Sequence, residues 1–171
     1  MWLRRPAVSL MASILVVAAC AGGATPEDYF AALEDATNEL DGRLDQVEAR
    51  FNEGLLGIDF EAAGAEVDLV QLFRVSITST AQSFATLLTD IQAIDPPRGL
   101  EAPHQEAVRA GERVVAEFDA DALEAISTLA DIDAYAGALS DSPARSRFTE
   151  SCRELQAIAD SEGIAVALGC S

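Results

Sequence analysis

One stripe of side chains decides the class of this chain. Phe30, Leu33, Thr37, Leu40, Leu44, Val47 and Phe51 recur at steps of 3, 4, 3, 4, 3 and 4. Residues three or four apart share one face of a helix, whereas a strand would throw alternate residues to opposite sides. A seam of this period needs an apolar partner surface, so it predicts helix packed on helix. Thr37 is its one polar member, and its hydroxyl can bond back to a carbonyl one turn earlier. Glu34, Asp35, Asp41, Arg43, Asp45, Glu48 and Arg50 flank the seam as a solvated face. Thr25-Pro26-Glu27-Asp28 supplies a capping hydroxyl, a proline and first-turn acids, the signals of a helix start. With Gly54 as the stop, the first helix is predicted over 26–53.

The same reading continues downstream. Residues 54–60 form an apolar loop, Gly-Leu-Leu-Gly-Ile-Asp-Phe, expected to cap one end of the core. A second helix over about 61–94 carries Val70, Phe73, Ile77, Ala81, Phe84, Leu88 and Ile91 inward. Its other face is rich in hydroxyls, expected to bond to carbonyls one turn back or to face water. Pro96 and Pro97 end it, because proline lacks the amide proton and restricts its predecessor. A third helix is predicted over about 101–118, with Leu100, His104, Ala107, Val108, Val114, Val115 and Phe118 inward. Residues 121–139 read as helical again. Asp141-Ser142-Pro143 then opens a helix over 143–162 that ends at Gly163. The tail to Cys170 alternates branched and small residues and reads as extended. The expected architecture is all-α: an antiparallel bundle of three to four long helices, turning at 54–60, 95–100 and 140–143, with a short disulfide-pinned extended tail.

Charge excludes one broad class of partner. The chain carries 11 basic residues, all arginine, against 29 acidic ones, a formal charge of −18. Nucleic-acid binding needs clustered positive charge, and adhesion to anionic lipid needs a basic face. The negative surface reads as a solubility feature. Half of the residues are hydrophobic yet 6% are aromatic, so the core should be thin and alanine-rich.

The first nineteen residues have a different character. Arg4 and Arg5 precede an apolar stretch, Ala7 to Ala19, interrupted by Ser9 and Ser13. Small residues then lead to Cys20. A positive start, an apolar run of about a dozen residues and a small-residue cut site define a secretory signal, and the run is too short to span a bilayer comfortably. Val17-Ala18-Ala19-Cys20 resembles the lipobox of bacterial lipoproteins. The resemblance covers about the first 20 residues. It implies that a diacylglyceryl group is attached to the Cys20 sulfur and that a signal peptidase recognises Val17, Ala18 and Ala19 and cuts before Cys20. An ordinary secreted protein cut at an Ala-x-Ala-like site is the alternative. Arg4-Arg5 suits the general secretory route better than twin-arginine export, because Leu3, Pro6 and Ala7 fit the latter pattern poorly. The implied organisation is 1–19 signal peptide, 20–25 tether and 26–171 a single helical domain. The exported part would keep 9 basic and 29 acidic residues, a net −20. Each buried methylene contributes about 0.8 kcal/mol, so two or three acyl chains hold firmly. A six-residue tether reaches at most about 20 Å, which would place the domain close to the outer face of the membrane. Beyond the lipobox, the chain resembles small helical envelope lipoproteins of GC-rich bacteria.

With Cys20 acylated, Cys152 and Cys170 remain, and an exported protein with two such cysteines usually pairs them. Cys152 lies about 16 Å along the helix from Gly163, and seven extended residues cover about 23 Å. A tail reversing at Gly163 can therefore bring the sulfurs together. Free thiols and a redox pair are the alternatives, and no Cys-x-x-Cys supports redox work.

Catalytic signals are weak. Glu101-Ala-Pro-His104 matches the Glu-x-x-His unit of di-iron bundles, but such sites use two units and His104 is the single histidine. His104 is therefore read as a helix-start residue packed near the Pro-Pro turn. A serine triad lacks a Gly-x-Ser-x-Gly elbow, and no phosphate-binding glycine loop is present. No catalytic residue, metal or cofactor is expected. The leading expectation is a non-enzymatic interaction or scaffold module, bound to the bilayer through Cys20, with an envelope protein as partner. The alternative is a module that binds a small ligand or cation. A solid core would favour the first, and an internal cavity lined with polar groups the second.

Overall fold

A computed structural model of the chain describes residues 24–170. Val17, Ala18, Ala19 and Cys20, with the leader and most of the tether, lie outside the described residues. The described part is all-helical. Its elements are α1 (Pro26–Leu56), α2 (Ala65–Gln92), α3 (Glu101–Glu117), α4 (Ala120–Ala125), α5 (Leu129–Ser140) and α6 (Pro143–Ser161).

α1 begins as its sequence signals direct. The Thr25 hydroxyl accepts from the Asp28 amide at 3.1 Å. Phe30, Leu33 and Leu40 are buried, and the Thr37 hydroxyl donates to the Glu34 carbonyl at 3.0 Å. Tyr29 and Ala36 are buried as well, which broadens the seam into the wider stripe of a globular helix. The expected stop at Gly54 is overturned, because α1 continues to Leu56. Gly54 instead permits close approach: a Cβ there would lie 2.5 Å from Cδ1 of Leu72 on α2. The 54–60 segment does not cap the core either. The extra helical turn points Leu56 to solvent at 90% exposure, and Phe60 is 64% exposed.

On α2, hydroxyls of Thr78, Ser79, Ser83, Thr86 and Thr89 each donate to the carbonyl four residues back. They are satisfied locally, in agreement with the sequence reading. Residues 121–139 are two helices, not one. The Asp119 carboxylate caps α4 by accepting from the Asp121 and Ala122 amides. Thr128 and Asp131 then form a capping box that starts α5, and buried Ile126 sits at the break. At α6, the Ser142 hydroxyl accepts from the Arg145 amide and donates to Glu117 at the end of α3. One buried side chain therefore starts α6 and ties it to α3.

α6 ends at Ser161. Gly163 adopts φ +74°, and the Ile164 amide reaches the Ala159 carbonyl at 2.9 Å, the hydrogen-bond pattern of a left-handed helix stop. Residues 164–170 are non-helical and run back along α6 to a Cys152–Cys170 disulfide with Cα atoms 5.5 Å apart. α1 packs on α2, α2 on α3 and α5, and α3 on α6. The main core joins Tyr29, Phe30, Leu33, Ala36 and Leu40 with Leu87, Ile91, Ala107, Leu155, Ala159 and Leu168.

Closing a loop of 18 residues adds about 3 kcal/mol in the chain-entropy model. Cys152→Ser/Cys170→Ser should therefore lose stability of about that size in a urea unfolding curve, and thiol labelling of the unreduced native protein should find neither sulfur free.

Candidate functional site

The four faces that build the core do not fill it. A cavity of about 230 Å³ remains between α1, α2, α3, α6 and the tail. Leu33, Leu40 and Leu44 line it from α1, Phe84, Leu87 and Ile91 from α2, and Ala107 and Val114 from α3. Phe148, Cys152 and Leu155 contribute from α6, and Leu168, Gly169 and Cys170 from the tail. Protein interiors hold few voids larger than one water, which occupies about 30 Å³ in the liquid. A space several times that size is large enough to admit a small molecule. Its walls are mostly aliphatic and aromatic, so water inside would find few of the two to four polar partners it needs.

Thr37, Asp41, Arg145 and Thr149 also line the cavity, and of all the lining residues Asp41, Arg145 and Gly169 are the exposed ones. These three mark the mouth. Local helix geometry accounts for the arrangement. Thr37, Asp41 and Leu44 follow one another up α1 at steps of four and three, and Arg145, Thr149 and Cys152 do so on α6.

The tail forms one wall and is held from two sides. Gln156 on α6 acts as a clamp: its amide nitrogen donates to the Val166 carbonyl at 3.0 Å, and its oxygen accepts from the Leu168 amide at 2.9 Å. From α1, the Glu34 carboxylate accepts from the Ala167 amide at 2.8 Å. The disulfide closes the end. Sequence reasoning found Cys152 and Cys170 but missed Gln156 and Glu34, because each is a polar residue on a helix surface with no local feature that marks it. It also missed the cavity, which depends on how four helices are spaced.

His104 lies in the first turn of α3 and is buried, but its partner is on α1. Its Nδ1 is 3.1 Å from the Tyr29 hydroxyl, and the rings meet edge to face with centroids 5.8 Å apart. Burial pushes the Tyr29 phenol well above its ordinary range and the His104 imidazole below its own. Both effects keep the pair neutral, and the imidazole tautomer sets which partner donates. Glu101 turns away from His104 and accepts from the Gly99 amide at 2.7 Å. The Glu-x-x-His pair is therefore divided between a turn and the core. Among the described residues, no group of three His, Cys, Asp or Glu side chains could hold a metal ion. No helix among them is long and apolar enough to cross a membrane.

A second surface feature is apolar. Around the connection from α1 to α2, Leu56, Phe60, Val67 and Val75 are all more than half exposed. No family model, curated protein or solved structure matches the chain.

Because folding lowers the His104 pKa, the unfolded chain takes up this proton first as pH falls. The stabilising contribution is complete above the ordinary histidine value, about 6.5, and is lost as pH drops through it. The melting temperature should fall between pH 7.5 and 5.5, and His104→Gln should flatten that slope. An equal slope in the variant would show that other groups cause it.

Proposed function

We propose that this chain is an exported lipoprotein that works by binding rather than by catalysis. Val17-Ala18-Ala19-Cys20 would direct cleavage before Cys20, and acyl chains on that sulfur would anchor residues 26–171, a single domain, to the outer face of the membrane. That domain is an antiparallel helical bundle. Gly54, near the end of α1, meets Leu72 near the start of α2, while Arg43, lower on α1, lies 3.4 Å from Asp90 near the end of α2. These contacts support opposite chain directions in the two helices.

The observation that carries the binding reading is the cavity beneath the tail. It differs from the polar-lined cavity that the sequence suggested for a binding module, because its lining is mostly apolar and its charged members, Asp41 and Arg145, are exposed. Ligand pockets are generally built this way, with burial supplying affinity and a few polar groups supplying orientation. The exposed apolar side chains at the α1–α2 connection favour a second reading, contact with an envelope protein partner.

Mass spectrometry of the purified native protein tests the anchor: the N-terminus should be Cys20 with acyl mass attached, and an intact leader would refute it. Xenon tests the cavity, since it enters dry apolar voids. In methyl NMR spectra of the protein in phospholipid nanodiscs, xenon pressure should shift Leu87 and Leu155 while leaving exposed Leu56 in place. Unmoved Leu87 and Leu155 signals would show that the site is closed.

A further inference from the structure

Resting on the reading of this cavity as a binding site, we infer that its ligand is an uncharged molecule of single-ring size bearing one hydroxyl or N–H group. Three observations define that class. The first is volume. A dry cavity of about 150 Å³ holds benzene, so 230 Å³ accommodates about nine heavy atoms by proportion. That size suits one ring with a short substituent and excludes a full-length lipid acyl chain.

The second is charge. The walls are apolar, and an ion buried there without a partner would be strongly disfavoured. Asp41 and Arg145 are both exposed at the mouth, so the rim offers one charge of each sign and no net selection. The chain as a whole is strongly negative, which disfavours approach of a carboxylate. A neutral molecule meets none of these barriers.

The third is Thr37, a half-buried residue of the lining that carries a hydroxyl. Its proton is already committed to the Glu34 carbonyl. A hydroxyl donates one bond and has two acceptor lone pairs, so to a ligand group that reaches it Thr37 offers an acceptor. The complementary ligand group is a donor, an O–H or N–H carried where the ring meets the mouth.

The test uses 4-ethylphenol as probe, against ethylbenzene, phenylacetate, phenethylammonium and decanoate, with the lipoprotein in nanodiscs and methyl NMR as the readout. Residue-specific shifts separate binding in the cavity from partition into lipid. 4-Ethylphenol should shift Leu87, Leu155 and Leu168 saturably and bind about five-fold more tightly than ethylbenzene, the contribution of one hydrogen bond. Thr37→Val, which keeps the side-chain shape, should abolish that difference while ethylbenzene still binds. The charged probes and decanoate should bind at least ten-fold more weakly than 4-ethylphenol. Tighter binding of phenylacetate, phenethylammonium or decanoate would overturn the inferred class. So would an unchanged preference for 4-ethylphenol in Thr37→Val. If xenon moves Leu87 and Leu155 but no ring compound does, the class fails while the cavity stands. If xenon fails as well, the binding reading falls with it.

Discussion

The first half of α1 holds the molecule together. Tyr29, Phe30, Leu33, Ala36 and Leu40 form the single stripe on which α2, α3, α6 and the tail converge. The chain is rich in alanine and poor in aromatics, so it has few large side chains with which to offset the entropy of ordering the backbone. Tyr29, Phe30 and Leu87 are the largest fully buried side chains, and Tyr29 and Phe30 adjoin one another at the start of α1. The second half of α1 is only partly covered, and its end carries Leu56 into solvent. Burial is therefore concentrated toward one end of α1.

That concentration explains why polar groups are recruited beside the core. Glu34 on α1 and Gln156 on α6 flank the tail and satisfy backbone groups that no helix or sheet would satisfy. A buried amide without a partner would be destabilising. The Ser142 hydroxyl serves two ends at once, capping α6 and reaching Glu117 of α3. The Tyr29–His104 pair joins α1 to α3 and remains neutral in its buried setting.

Much of the helix pattern was legible in the sequence, and the reasons are local. Thr25-Pro26, Pro96-Pro97, Ser142-Pro143 and Gly163 mark boundaries through backbone chemistry that acts over a few residues. The seven-residue rhythm of α1 and the pairing of Cys152 with Cys170 were also readable. Gly54 was misread because glycine ends a helix as readily as it admits a neighbour, and the deciding atom belongs to Leu72 in another helix. The break between α4 and α5 carried a signal, Thr128 with Asp131 three residues on, which resembles a capping box with Asp in place of the usual Glu. The cavity had no signature. Leu33, Val114 and Leu155 look like ordinary core residues, and only the spacing of their helices leaves a space between them.

The tail has a consequence for the order in which the site can form. Leu168, Gly169 and Cys170 supply one wall, and they follow all six helices in chain order. Every helix can be in place before that wall arrives. Its covalent fastening then depends on an oxidising compartment, since reducing surroundings keep thiols apart. A chain whose tail has not yet docked would have an open trough where the folded protein has a pocket. On the binding reading, the capacity to retain a guest would follow the helices rather than accompany them.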